Sequence, residues 1–235
     1  MRVLAFDTTC AACSVALWHD DTVEAAFHDP TVHGQAELLM PAIERVMAEA
    51  DVAYSDIDRI GVTVGPGSFT GVRVGLATAR ALAVALDRPA IGILTSAVLA
   101  QEAINSGGEI DTPVAVAIDA RRAELYLHCF DRNGAALEDP QCLLPEDAAQ
   151  YLAKDRWQIV GDGAAILEPL LELRSEPVLE PGPRGNVSQS GPIYPDATLL
   201  ASMVATQAVP EAPPQPVYVR PPDAVLPIAG GRLRR

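Results

Sequence analysis

Residues 65–86 read GPGSFTGVRVGLATARALAVAL, a glycine turn followed by a long stretch of helix formers with hardly a polar side. The turn resembles a phosphate loop but fits none of the templates. A GxxxxGK[ST] loop needs a lysine for the outer phosphates, and Val72 and Arg73 follow Gly71 instead. A GxGxxG pattern started at Gly65 and Gly67 meets Thr70 where its third glycine belongs, and a GxSxG elbow around Ser68 meets Pro66. What remains is a strand, a sharp turn and a helix whose start Ser68 and Thr70 can cap, with a helix N-terminus that can attract an anion. Along the helix, Gly71, Gly75, Ala79 and Ala83 recur at a four-residue step, so they form one stripe of minimal side chain. Each glycine lowers helix propensity by ~1 kcal/mol relative to alanine. Close approach of another helix or a sheet would offset that cost. The other sides carry Val72, Val74, Leu76, Leu82, Val84 and Leu86, with only Arg73, Thr78 and Arg80 polar. A helix apolar nearly all round is buried nearly all round. In a chain of this size one face would meet its own sheet and another a second protein, the alternative being a core helix wholly internal to the chain.

Working outward, 60–64 (IGVTV) is a continuous apolar strand suited to the centre of a sheet. Before it, 36–50 has a helical period, with Leu39, Ile43, Val46, Met47 and Ala50 on one face and Pro41 either in the first turn or kinking the helix. Three short strands open the chain, 2–8, 14–19 and 22–28, joined by turns tight enough for an antiparallel meander. A strand at 90–94 and a helix from about Ser96 complete a βββαβαβα order. The order restarts after residue 108: strands at 114–118, 124–130 and near 142–144, a helix at 148–154, a strand at 157–160 and a helix at 166–173. A last helix spans 195–207, and VYVR at 217–220 reads as a closing edge strand. The chain thus divides into lobes at 1–108 and 109–220 and a loose tail at 221–235, an α/β duplication of mixed sheets flanked by helices. The segment 175–195, rich in Pro, Gly and Ser, is expected to be irregular.

Composition narrows the function. The 235 residues hold 17 Lys and Arg against 31 Asp and Glu, a net charge of −14, and Lys154 is the one lysine. Gripping a phosphate backbone unaided calls for a basic surface, so autonomous nucleic-acid binding is disfavoured. The start, MRVLAFDTT, meets Asp7 too soon for a targeting core, and Arg73 and Arg80 interrupt the one apolar run near spanning length. A soluble cytoplasmic protein with no membrane contact is expected.

The remaining chemistry-bearing residues are sparse. Cys10 and Cys13 form a CxxC, but it lies between two strands rather than at a helix N-terminus, and Cys129 and Cys142 are too far apart to complete a zinc site. These read as reduced thiols. His33 and Glu37 share a helical face if the helix reaches back that far, but no third ligand accompanies them, so no metal is expected. In FDTTCAACSVAL, Asp7 ends a strand ahead of two hydroxyls and a hairpin. The actin, sugar-kinase and heat-shock ATPase superfamily starts this way, with a glycine where Thr8 stands. A Cβ there hinders backbone approach to phosphate. Asp7, Thr8, Thr9, Ser68 and Thr70 are the candidates for any nucleotide or anion contact.

Four stretches, LAFDTT with ACSVAL, HGQAELLMPAIE, GPGSFTGVRVGLATA and IDARRAELY, with PVYVR near the end, resemble the bacterial TsaB family, also called YeaZ. The resemblance spans most of the chain. It implies an actin-like two-lobe fold and a non-catalytic accessory role in synthesis of the threonylcarbamoyladenosine modification of tRNA. It also implies a catalytic paralogue of the TsaD type as partner, a small ATPase subunit of the TsaE type, a homodimer when alone, and contact with tRNA only through the complex. That paralogue binds metal with an HxxxH on its first helix. Here His33 matches the first position and Glu37 stands at the second. No cofactor is expected on this chain alone, with ATP at the complex interface. Pairing through the first two helices assigns the partner surface to Leu39, Ile43, Val46, Met47, Gly71, Val72, Gly75, Leu76, Ala79 and Ala83. The rival readings are a degenerate ATPase or small-molecule kinase of the superfamily and, further off, a metallopeptidase.

Overall fold

Arg2–Asp7 (β1), Cys13–His19 (β2) and Thr22–Asp29 (β3) form the antiparallel meander that such short connections impose. The structure is a computed structural model describing residues 1–30, 34–107, 112–174 and 193–220. His33, the lobe boundary at 108, residues 175–192 of the linker and the tail from 221 lie outside the described residues. The helix Gln35–Glu49 (α1), the strand Arg59–Thr63 (β4), the helix Phe69–Leu86 (α2) and the strand Ala90–Ile93 (β5) follow. The sheet order is β3-β2-β1-β4-β5, with β4 parallel to β1 and β5 parallel to β4. Strand alternation splits β1 between two cores. Leu4 and Phe6 pack with the inward sides of α1 and α2, while Val3 and Ala5 point to the opposite face.

The second lobe repeats the plan. Val114–Asp119 (β6), Leu125–Phe130 (β7) and Gln141–Leu143 (β8) make a second meander, followed by Pro145–Leu152 (α4), Gln158–Val160 (β9) and Ala164–Arg174 (α5). The order β8-β7-β6-β9, with β9 parallel to β6, matches the first four strands of the first sheet. The duplication inferred from element order is present in the strand topology.

Two helices cross between the lobes. Thr95–Asn105 (α3) precedes the boundary in the chain, yet its Leu99, Ala100 and Ala103 cover the Val114, Val116 and Ile118 side of the second sheet. Ala197–Thr206 (α6) comes last, yet its Leu200, Ala201 and Val204 cover the Val3 and Ala5 side of the first sheet. Gly61 on β4 makes room, since a Cβ there would stand 2.9 Å from Val204 Cγ2. Each sheet has two apolar faces to cover, and the exchange covers both. α3 thus bridges the two sheets, with Val98 in the first core and Leu99, Ala100 and Ala103 in the second, while α6 lies on the first sheet.

Two local expectations are also corrected. Pro41 lies inside α1 rather than in its first turn, on the solvent side. VYVR is not a strand. Val217 N–H donates to Val64 O at 2.8 Å, but Pro213, Pro214 and Pro216 remove the donors a ladder needs.

Candidate functional site

α2 has two sides with different roles. Ser68 caps it, its hydroxyl accepting from Gly71 N–H at 3.3 Å, while Thr70 faces solvent. Gly71, Val72, Gly75, Leu76 and Ala79 are buried against the first sheet, as are Leu39, Ile43, Val46 and Met47 of α1. Ala83 is half-buried in the same core. The residues assigned by sequence to a partner are thus the chain's own core, and the small-residue stripe exists because the sheet and the first hairpin approach closely. A Cβ on Gly71 would stand 1.8 Å from the Thr8 carbonyl oxygen. The free side of α2 is Phe69, Arg73, Ala77, Ala81, Val84 and Ala85, with Val84 85% exposed. By length and apolarity alone α2 passes as a membrane span, but its buried side is that of a core helix.

Asp7, at the end of β1, is completely buried. Its Oδ1 accepts from Thr9 N–H (3.1 Å), Thr9 Oγ1 (2.5 Å) and Thr63 Oγ1 (2.5 Å), and Thr95 Oγ1 donates to Thr9 Oγ1 at 3.0 Å. Oδ2 has no partner among the described residues. Burial pushes the Asp7 carboxyl upward, and the hydrogen bonds from Thr63 and Thr9 only partly oppose it. The hairpin that follows, Thr8 to Ala12, is buried throughout, and the α2 turn closes over it. Thr8 Oγ1 donates to Gly71 O (2.8 Å) and Ser68 N–H to Thr9 O (2.7 Å). Asp7, Thr8, Thr9 and Ser68 are brought together, then, with Asp7, Thr8 and Thr9 in a buried polar cluster and Ser68 exposed at its edge. The Thr8 and Thr9 hydroxyls are thus engaged by Gly71 O and Asp7 Oδ1.

The second lobe presents the counterpart that sequence reading missed. β6 (VAVAID) ends on Asp119 as β1 (RVLAFD) ends on Asp7. Asp119 N–H donates to Asp162 Oδ1 (2.9 Å), and Asp119 Oδ1 accepts from Arg121 N–H (2.7 Å). Burial raises the Asp162 carboxyl. Cys10 sits between the two acid clusters: burial first, then Asp7 and Asp162, push its thiol well above the usual range. Burial also holds the Cys13 thiol at about 12, and it points into the other core, so the CxxC pair is two separated reduced thiols. Ser96 Oγ lies 2.7 Å from His128 Nδ1, a nucleophile–base spacing, but both are sealed between α3 and the second sheet. Desolvation lowers the His128 pKa, and the pair acts as a buried tie between lobes.

Two lobes that repeat one strand order, each with an aspartate at the end of its first strand, define a duplicated α/β protein of mixed sheets flanked by helices. Residues 31–150 match the family model described as TsaD, tRNA N6-adenosine threonylcarbamoyltransferase. Over 233 residues the chain is 35% identical to the tRNA threonylcarbamoyladenosine biosynthesis protein TsaB of Escherichia coli K12, covering 94% of this chain and 95% of that one. Among solved structures, an uncharacterized Pseudomonas aeruginosa protein described as similar to the peptidase YeaZ superposes with a TM-score of 0.72 at 31% identity, covering 93% of this chain and 99% of that one. YeaZ from Pseudomonas aeruginosa gives 0.71 at 32% identity, covering 87% and 90%. The chain belongs to the TsaB (YeaZ) family of tRNA threonylcarbamoyladenosine biosynthesis proteins.

Proposed function

We propose that this chain is the non-catalytic accessory subunit of a cytoplasmic tRNA threonylcarbamoyladenosine complex, pairing with a catalytic relative of the TsaD type. The observation that carries it is the outward side of α2. Phe69, Ala77, Ala81, Val84 and Ala85 form an exposed apolar face without a carboxylate. Such a face on an otherwise acidic protein marks a protein contact. The transferase family model spans both α1 and α2, so a transferase-type partner would offer homologous helices to meet them. The chain alone would use the same face for a homodimer. The closed hairpin after Asp7 supports the non-catalytic reading and leaves ATP to the complex interface, with a TsaE-type ATPase subunit and the tRNA engaged by the assembly.

The test is light scattering during size exclusion, on the chain alone and mixed with its transferase-type relative. A one-to-one complex is expected. Ala81→Glu and Val84→Glu, on the free side, should raise Kd at least ~100-fold with circular dichroism and melting unchanged, as hot-spot positions do. Pairing that survives both substitutions would overturn the assignment of this face. ATP turnover by the isolated chain would favour the degenerate ATPase.

A further inference from the structure

The described chain ends in a segment, 207–220, that leaves α6, crosses α2 and reaches the second lobe. Its contacts fall into two groups. On the first lobe, Arg80 donates to Pro214 O (Nε 3.1 Å, Nη2 2.5 Å) and to Gln215 Oε1 (3.0 Å), and Val217 N–H donates to Val64 O. Gly65, at φ +100°, lets the Val217 carbonyl come within 2.8 Å of where a Cβ would stand. Arg73 Nε donates to the Tyr218 hydroxyl at 3.0 Å, and the Tyr218 ring lies 5.6 Å from that of Phe69. On the second lobe, Arg220 Nη2 donates to Arg121 O (3.0 Å) and pairs with Glu124.

The turn that Arg220 holds is strained. Arg121, Arg122 and Ala123 lie consecutively at φ 60°, 56° and 61°, the left-handed region that L side chains disfavour. Three in a row persist only where neighbours over-determine them. The same turn is wired to the second-lobe acids through Arg121 N–H to Asp119 and Asp119 N–H to Asp162. The segment therefore joins the free face of α2 at one end to these acids at the other.

We infer that the partner surface extends from α2 onto this segment through Phe69, Arg73 and Tyr218, and that Arg220 carries its position to the 121–124 turn, so that engaging a partner on α2 orders that turn. The identity of the partner rests on the accessory-subunit reading above; the tie itself does not. Phe69 and Tyr218 stay 57% and 47% exposed while the Arg73 guanidinium lies 3.7 Å over the Phe69 ring. Paired rings with an arginine are the side chains that anchor interfaces. They suit a partner offering an apolar helix and a carboxylate or carbonyl for Arg73. A tie of this kind transmits only what the partner discriminates, so a partner that grips Tyr218 in one position selects one position of Arg220.

The test is hydrogen exchange followed by mass spectrometry, on the wild type, Arg220→Ala, Arg220→Lys and Tyr218→Ala, each with and without the transferase-type partner. In the lone chain, Arg220→Ala should speed exchange across 119–125 at least ~10-fold while β4 and α2 keep wild-type rates, and Arg220→Lys should recover part of the protection. Partner should slow exchange at 119–125 in the wild type and not in Arg220→Ala, although α2 is protected in both. Tyr218→Ala should weaken pairing ~10-fold. Unchanged exchange of the turn in Arg220→Ala, or protection of α2 without slowing of the turn in the wild type, would overturn the tie. Absence of any pairing would overturn the accessory reading and the extended surface with it, while the lone-chain exchange would still decide the tie.

Discussion

Gly71 and Gly75 stand one turn apart on α2 and look interchangeable in the sequence, but they meet different atoms. A Cβ on Gly71 would press into the Thr8 carbonyl at 1.8 Å, a backbone atom fixed by the hairpin. A Cβ on Gly75 would lie 3.0 Å from Thr8 Oγ1 and 3.2 Å from Val62 Cγ2, side-chain atoms that can give by a few tenths of an ångström. Gly71→Ala should therefore cost about 3 kcal/mol or more, as overpacking against a rigid neighbour does. For Gly75→Ala, the alanine gain in helix propensity of ~1 kcal/mol offsets the squeeze, leaving a net change within about 1 kcal/mol. Urea unfolding of the two variants measures the difference, and equal losses would contradict the packing described for Thr8. The stripe itself was legible in the sequence. Its direction was not, because small residues at a four-residue step suit a neighbouring protein as well as the chain's own hairpin. The Asp7 cluster was legible only by half. Asp119 ends its strand as Asp7 does, but Asp162 and Thr63 join their clusters through strand pairing that spacing along the chain does not reveal.

Among the elements, α3 carries a pH dependence. Glu102 on this helix is half-buried beside Asp196, the N-cap of α6, and desolvation followed by the Asp196 charge raises its carboxyl to about 7. The folded state thus holds a proton that the unfolded chain has released above its ordinary value near 4.5. Bound protons exceed those of the unfolded state between these two values, so stability falls as pH rises from about 4.5 to about 7 and stays lower beyond. Glu102→Gln should remove this fall and gain on the order of 1 kcal/mol at pH 8, the full shift being discounted for partial exposure. Urea unfolding at pH 5 and pH 8 checks it; a variant no more stable than the wild type at pH 8 would show that water screens the pair. The junction also shows where reading by elements stops. Nearly every strand and helix was expected near its place, since each carries its own period and turn residues. Which sheet α3 and α6 cover is not written in an apolar helix face, because that face fits either sheet.

For the whole molecule, the distribution of charge decides how it meets its partners. The chain carries −14, yet α2 contains no carboxylate, so the acids lie elsewhere than on the face proposed for pairing. An association driven by that face should draw on apolar burial rather than on ion pairs. Salt then acts mainly by screening the repulsion between acidic bodies, over a Debye length of about 8 Å at physiological ionic strength. Raising salt from 50 to 500 mM should leave the Kd with the transferase-type partner unchanged or slightly lower, within ~3-fold. A tenfold weakening by isothermal titration would show that charge holds the complex instead. The same imbalance bears on tRNA. A protein that neutralises phosphates owes its affinity to clustered Lys and Arg, and even non-specific binders reach Kd values of roughly 0.1 mM to 1 µM at physiological salt. With 17 basic against 31 acidic residues, the isolated chain should show no shift of tRNA in a mobility assay at 150 mM salt up to ~10 µM protein. A shift below that concentration would mean that this subunit touches the RNA directly, and Arg121 and Arg122 in the strained turn would be the first residues to replace.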